Sequence, residues 1–110
     1  MSIPLITRDY ETEVSKERLP VVVEFFASWC PKCSMMEDVV ERLARKMRRT
    51  VIFKKVDIDF SEELAHELGV EIVPTFVVYL YGEIIGYTSG VLSEGTLENR
   101  ILEMLEEAGV

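Results

Sequence analysis

The sequence predicts an α/β domain: a central mixed sheet of four or five strands with helices on both faces. Three observations carry that prediction. Val21 to Phe26 is apolar on both alternating faces except for Glu24, the pattern of a strand covered on both sides. Met36, Val39, Val40, Leu43, Ala44 and Met47 then recur at helical spacing and form one apolar face. A second apolar run, Val51 to Val56, follows. Strand, helix and strand in so short a stretch give a parallel βαβ unit with a right-handed crossover.

The elements follow in order. Residues Tyr10 to Lys16 suit a short first helix, and Pro20 introduces the first strand. The second helix opens at Cys30-Pro31-Lys32-Cys33, where Pro31 sits in the first turn and its missing N–H costs nothing. Ser61 can cap a third helix, with Glu62 and Glu63 in its first turn and Gly69 at its end. Thr75 to Tyr79 and Ile84 to Thr88 flank Tyr81-Gly82 and predict an antiparallel hairpin. Ser93 caps a last helix whose apolar face is Leu97, Ile101, Met104, Leu105 and Ala108, and Gly109 ends it.

The 110 residues are expected to form a single domain, residues 1–110, with no repeat, low-complexity tract or linker. A chain of this length can bury one core without staples. The net charge of −8 argues against a nucleic-acid partner, which needs clustered positive surface. The basic cluster Arg45, Lys46, Arg48 and Arg49 falls at a helix C-terminus, where cations complement the dipole. No apolar stretch approaches the roughly 20 residues that span a membrane, and the segment from Met1 to Asp9 lacks the features of a signal peptide. A cytoplasmic location is expected, where thiols stay reduced and a disulfide is transient. The chain has no Gln and one Asn, Asn99, amid many charges, a composition that suits a thermophile.

Both cysteines lie in the Cys30-x-x-Cys33 motif after Trp29, at a strand-to-helix junction. Two thiols so placed can form and break a disulfide with each other. A disulfide there closes too small a loop to serve as a scaffold. Only a thiolate attacks a disulfide, and Cys30 is predicted at a helix N-terminus, with Lys32 beside it, where negative charge is favoured. Cys33 would then resolve the mixed disulfide. A metal site would need more ligands than Cys30, Cys33 and the distant His66 supply. Glu24 is a carboxylate inside an apolar run. Burial would raise its pKa and fit it to take the Cys33 proton, unless it merely pairs with Lys55. Pro74 before a strand-like run would ordinarily be a trans strand-entry proline.

In order and spacing, Val23-Glu24-Phe25-Phe26-Ala27-Ser28-Trp29-Cys30, Lys55-Val56-Asp57-Ile58-Asp59, Val73-Pro74-Thr75, Gly82-Glu83 and Gly90-Val91-Leu92-Ser93 resemble the thioredoxin family from about Leu5 to Glu107. The resemblance implies a five-stranded thioredoxin fold and reduction of protein disulfides. It makes Cys30 the nucleophile, Cys33 the resolving thiol, Pro74 a cis proline beside them, Glu24 the buried acid and Lys55 its neighbour. Trp29, Pro31, Lys32, Val73, Pro74, Gly90 and Val91 would form the shallow docking surface. Partners would be disulfide-bearing client proteins and an upstream disulfide reductase, with no dissociable cofactor, on a monomeric protein.

Three positions depart from the family pattern. Pro31-Lys32 stands where Gly-Pro is usual, Asp38 where a kinking proline is usual, and Glu24 where Asp is usual. The first leaves room for a less reducing couple, as in a glutaredoxin-like or isomerase-like protein. The rival of another class is a noncatalytic binding module using the surface near Trp29 and Pro74.

Overall fold

The computed structural model describes residues 3–110; Met1 and Ser2, part of the amino-terminal segment considered above, lie outside the described residues. The elements run α1 (Tyr10–Ser15), β1 (Val21–Phe26), α2 (Pro31–Lys46), β2 (Ile52–Asp57), α3 (Glu62–Glu67), β3 (Thr75–Leu80), β4 (Glu83–Ser89) and α4 (Glu94–Glu107). The sheet order is β2-β1-β3-β4, so β1 is paired on both edges. It runs parallel to β2 with Glu24 opposite Lys55, and antiparallel to β3 with Glu24 opposite Phe76. The βαβ unit is therefore present as predicted. The fifth strand implied by the thioredoxin resemblance is reduced to a single parallel bridge, Leu5 to Lys55. Backbone bonds from Ile6 N–H to Lys55 O and from Lys55 N–H to Pro4 O fix it, at 2.8 and 3.0 Å.

Strand alternation divides the core. Val22 of β1 packs with Phe53, Phe76 and Val78 under Met36, Val40 and Leu43 of α2 and Leu97, Ile101 and Leu105 of α4. Val21, Val23 and Phe25 face the opposite side, with Val14 of α1, Val56, Val77 and Tyr79, and Leu64 of α3 at the margin. Glu24 is thus carried to the same face as Val22, beneath α2. On that same helix Val39 and Ala44 are half-buried, flanking a fully buried centre.

Two expectations at helix ends need correction. Ser61 occupies the N-cap of α3, but its side chain makes no capping hydrogen bond. Ala108 is the C-cap of α4 and is exposed, because the helix runs past the edge of the core there. Ser93, in contrast, accepts from the Thr96 N–H as a capping residue should.

A buried lysine has no signature in the sequence pattern. Lys54 is 3 % exposed and reaches Glu13 and Glu17 at 3.2 and 2.8 Å, fastening β2 to the α1 region. A charge so deep is tolerable only when paired in this way.

The hairpin between β3 and β4 turns on two residues of positive φ, Tyr81 at 51° and Gly82 at 85°. Such turns match the twist of the flanking strands and favour Asn-Gly. Gly82 meets this demand freely, and a Cβ there would stand 3.0 Å from that of Ser15. Tyr81 does not, and the residue is 70 % exposed, so little packing compensates. Tyr81→Asn is expected to stabilise the protein by about 1 kcal/mol, by relief of left-handed strain. Urea denaturation at constant m-value checks this, and a loss of stability would contradict the reading of the turn.

Candidate functional site

The site is built where β1 ends. The chain leaves the sheet at Phe26, passes Ala27 to Trp29, and enters α2 with Cys30 as its N-cap and Pro31 in its first turn. Cys30 has extended backbone (φ −95°, ψ 109°), and its sulfur accepts from the Cys33 N–H at 3.2 Å. A sulfur thus does the capping that an oxygen does in most helices. Cys33 lies one turn on, and its thiol donates to the Cys30 sulfur at 2.7 Å. Both are free thiols. Their separation is only slightly longer than the disulfide bond length of about 2.05 Å, so closure needs only a small displacement when an oxidant, such as a client disulfide, takes the two electrons. Ala27 is buried with them, and Phe26, Ile58 and Val73 pack around the pair.

The Val73–Pro74 peptide bond is cis. The Val73 carbonyl stands at the dithiol, where it accepts from the Cys30 thiol at 3.7 Å. The Pro74 carbonyl accepts from the Gly90 N–H at 2.9 Å, which ties the Gly90-Val91 segment to the same loop. Gly90 has φ 95°, a conformation suited to glycine. Around this centre Trp29, Pro31, Lys32 and Val91 are exposed, Val73 and Gly90 are half-buried, and Pro74 is buried. The structure therefore brings the sequence-predicted residues together at one end of the sheet. Ile72, 59 % exposed beside Val73, adds an apolar side chain there, and no motif in the local sequence marks it.

Behind the dithiol lies a cavity of about 220 Å³, lined by Glu24, Ser28, Ser34, Glu37, Lys55 and both cysteines among others. Glu24 is 6 % exposed. Burial pushes its carboxyl up to about 7, Lys55 pulls it back down, and Glu37 adds to the rise. Burial prevails because Lys55, though opposite Glu24 in register, makes no ion pair with it among the described residues. The Lys55 ammonium instead sits over the Phe26 ring, 5.3 Å from its centre. Simple pairing of Glu24 with Lys55 is therefore not what the site contains. Cys33 is 4 % exposed. Burial, then its hydrogen bond to Cys30, push its thiol up to about 12, with a backbone hydrogen bond at Ala27 acting against them. Among the described residues no cluster of three or more His, Cys, Asp or Glu could hold a metal ion, and no helix is long and apolar enough to cross a membrane.

The family model described as Thioredoxin matches residues 2–103. The thioredoxin of Porphyra purpurea is 30 % identical over 102 residues, which cover 92 % of this chain and 95 % of that one. Thioredoxin H4 of Arabidopsis thaliana is 42 % identical over 74 residues, 67 % of this chain and 62 % of that protein. Mitochondrial thioredoxin 3 of Saccharomyces cerevisiae, in its oxidized form, superimposes with a TM-score of 0.82 at 30 % identity, covering 92 % of this chain and 94 % of that chain. The chain belongs to the thioredoxin family, and its domain is a protein thiol–disulfide oxidoreductase.

The elevated Glu24 carboxyl has a consequence for stability. Its folded-state pKa, about 7, lies above the ordinary glutamate value of 4.5. The folded protein therefore binds the Glu24 proton more tightly than the unfolded chain does. Stability falls as pH rises from about 4.5 to about 7 and the loss is constant above that. Glu24→Gln is expected to stabilise the protein by about 3 kcal/mol at pH 8 and to leave it nearly unchanged at pH 4. Chemical denaturation at the two pH values checks this. An equal effect at both would show that Glu24 ionisation is not the cause.

Proposed function

We propose that this member of the thioredoxin family reduces disulfides of other proteins, working as a monomer in a compartment that keeps thiols reduced, such as the cytosol. The observation that supports this best is the asymmetric dithiol: Cys30 caps α2 at the docking surface, and Cys33 is held as a thiol behind it.

In the first step the Cys30 thiolate attacks one sulfur of the client disulfide. A Cys30–client bond forms, the client S–S bond breaks, and one client thiolate leaves. Trp29, Pro31, Lys32, Val73, Pro74, Gly90 and Val91 receive the client segment around the attacking sulfur. In the second step Cys33 gives its proton to Glu24, through water in the shared cavity, and attacks the Cys30 sulfur. The intramolecular disulfide forms, the second client thiolate leaves, and the client has gained two electrons. An upstream disulfide reductase returns the pair to the dithiol state. The cysteines themselves carry the electrons, so no dissociable cofactor enters the cycle.

The roles of the two thiols differ, and so should their variants. Cys33→Ser is expected to accumulate a covalent mixed disulfide with a disulfide-bonded client, visible by non-reducing electrophoresis. Cys30→Ser is expected to form none. Equal trapping by both variants would refute the assignment of nucleophile and resolving thiol, and full function in Cys30→Ser would favour a noncatalytic binding module.

The direction of transfer is set by potential. Titration of Cys30 and Cys33 against thiol–disulfide buffers, read by alkylation, is expected to give a two-electron couple below roughly −250 mV. Pro31-Lys32 between the cysteines is the feature that supports the opposing reading. A couple above roughly −200 mV, or turnover with glutathione alone, would make this an isomerase-like or glutaredoxin-like protein.

A further inference from the structure

The cavity behind the dithiol contains a carboxylate that the steps above do not use. Glu37 lies on α2 at i+4 from Cys33, so the two share a helix face. Helical side chains lean toward the N-terminus of their helix, which carries Glu37 back over the Cys33-Ser34 turn. There it lines the cavity with Glu24, Ser34, Lys55 and the two thiols. Glu37 is exposed while Glu24 is buried, so Glu37 stands at the solvent end and Glu24 at the inner end. Among the described residues Glu37 forms no ion pair. It is not occupied in holding the fold together.

The charged and titratable groups that share this cavity with Glu24 come from two elements. Lys55 approaches from β2, opposite Glu24 in register. Cys30, Cys33 and Glu37 approach from α2. Lys55 and Glu37 act on Glu24 in opposite senses, the ammonium favouring its charged form and the carboxylate its neutral form. The remaining lining is hydroxyl and apolar, and the volume of about 220 Å³ has room for several waters.

We propose that Glu37 is a positioning residue for the resolving step, its negative charge at the cavity mouth opposing Lys55 and so setting the pH range in which Glu24 takes the proton of Cys33. The proposal rests on the reading of Glu24 as proton acceptor. Glu37 touches neither client nor reacting sulfur; it acts through Glu24. Two like charges across a wet cavity displace a titration by about half a pH unit. A chain with a neutral side chain at this position would resolve mixed disulfides at lower pH.

The test uses the full reduced protein labelled with ¹³C at Glu carboxyls, the Glu24 signal being identified by its loss in Glu24→Gln. In Glu37→Gln the Glu24 titration is expected to move down by about half a pH unit. It should move further in Glu37→Lys and return toward the original in Glu37→Asp. In parallel, single-turnover client reduction is followed by Trp29 fluorescence with the reduced protein in large excess, so that the resolving step limits the rate. The midpoint of its pH profile should move with the Glu24 titration. An unmoved Glu24 titration in both Glu37→Gln and Glu37→Lys would overturn the role of Glu37 and leave that of Glu24 standing. A titration that moves while the rate profile stays fixed would overturn Glu24 as the acceptor and, with it, the proposal.

Discussion

Strand β1 is hydrogen-bonded on both edges and buried on both faces, and the site depends on that double confinement. Pairing to β2 and β3 fixes its register, and the Val21–Val23–Phe25 and Val22 sets lock it between two helical layers. A one-residue slip would exchange these faces, so the register is strongly specified. Two consequences follow from one cause. Glu24 is forced beneath α2, where water cannot solvate it fully. The residues after Phe26 emerge at a fixed place and heading, so Cys30 arrives at the helix start beside the Val73–Pro74 loop, itself anchored at the head of β3.

The chemical difference between the two cysteines is a property of the helix end. An N-cap side chain faces the unpaired N–H groups of the first turn, and Cys30 takes the Cys33 N–H in this way. The residue three places on points back toward the core from within the helix, and the hydration Cys33 thereby loses outweighs the one backbone hydrogen bond it has at Ala27. Identical side chains thereby acquire unlike surroundings without any charged neighbour in direct contact. Lys32 is exposed and needs no part in this division.

Much of this was legible in the sequence because it depends on local pattern. The unbroken apolar run of β1, the helical spacing from Met36 to Met47, Pro31 at a helix start and Tyr81-Gly82 between alternating runs each state their geometry within a few residues. What was not legible depends on contacts between distant segments. Lys54 and Lys55 are adjacent and alike in composition, yet one is buried against Glu13 and Glu17 and the other rests on Phe26. Glu37, Asp38 and Glu41 are three acids on one helix, and only the position of α2 over β1 and β2 selects Glu37 to face the cavity. The outermost strand shrinks to the Leu5 bridge because few residues there meet β2, which no propensity reveals. The cis state of Val73–Pro74 was expected from the family resemblance and not from local sequence.

The distance between about 12 for Cys33 and about 7 for Glu24 would make proton transfer between them steeply uphill if both values held throughout the cycle. They describe the free dithiol, and the causes show why the balance changes after the first step. Part of the elevation at Cys33 comes from its hydrogen bond to the Cys30 sulfur and from negative charge on that sulfur. In the proposed cycle Cys30 is then bonded to a client and can no longer carry charge, so the charge contribution falls away and the hydrogen bond weakens. Cys33 then gives up its proton more readily, at the moment when its thiolate is required. In the proposed cycle the gap in proton affinity between the two groups therefore narrows in the mixed disulfide. The barrier to resolution is thereby lowered by the intermediate that must be resolved.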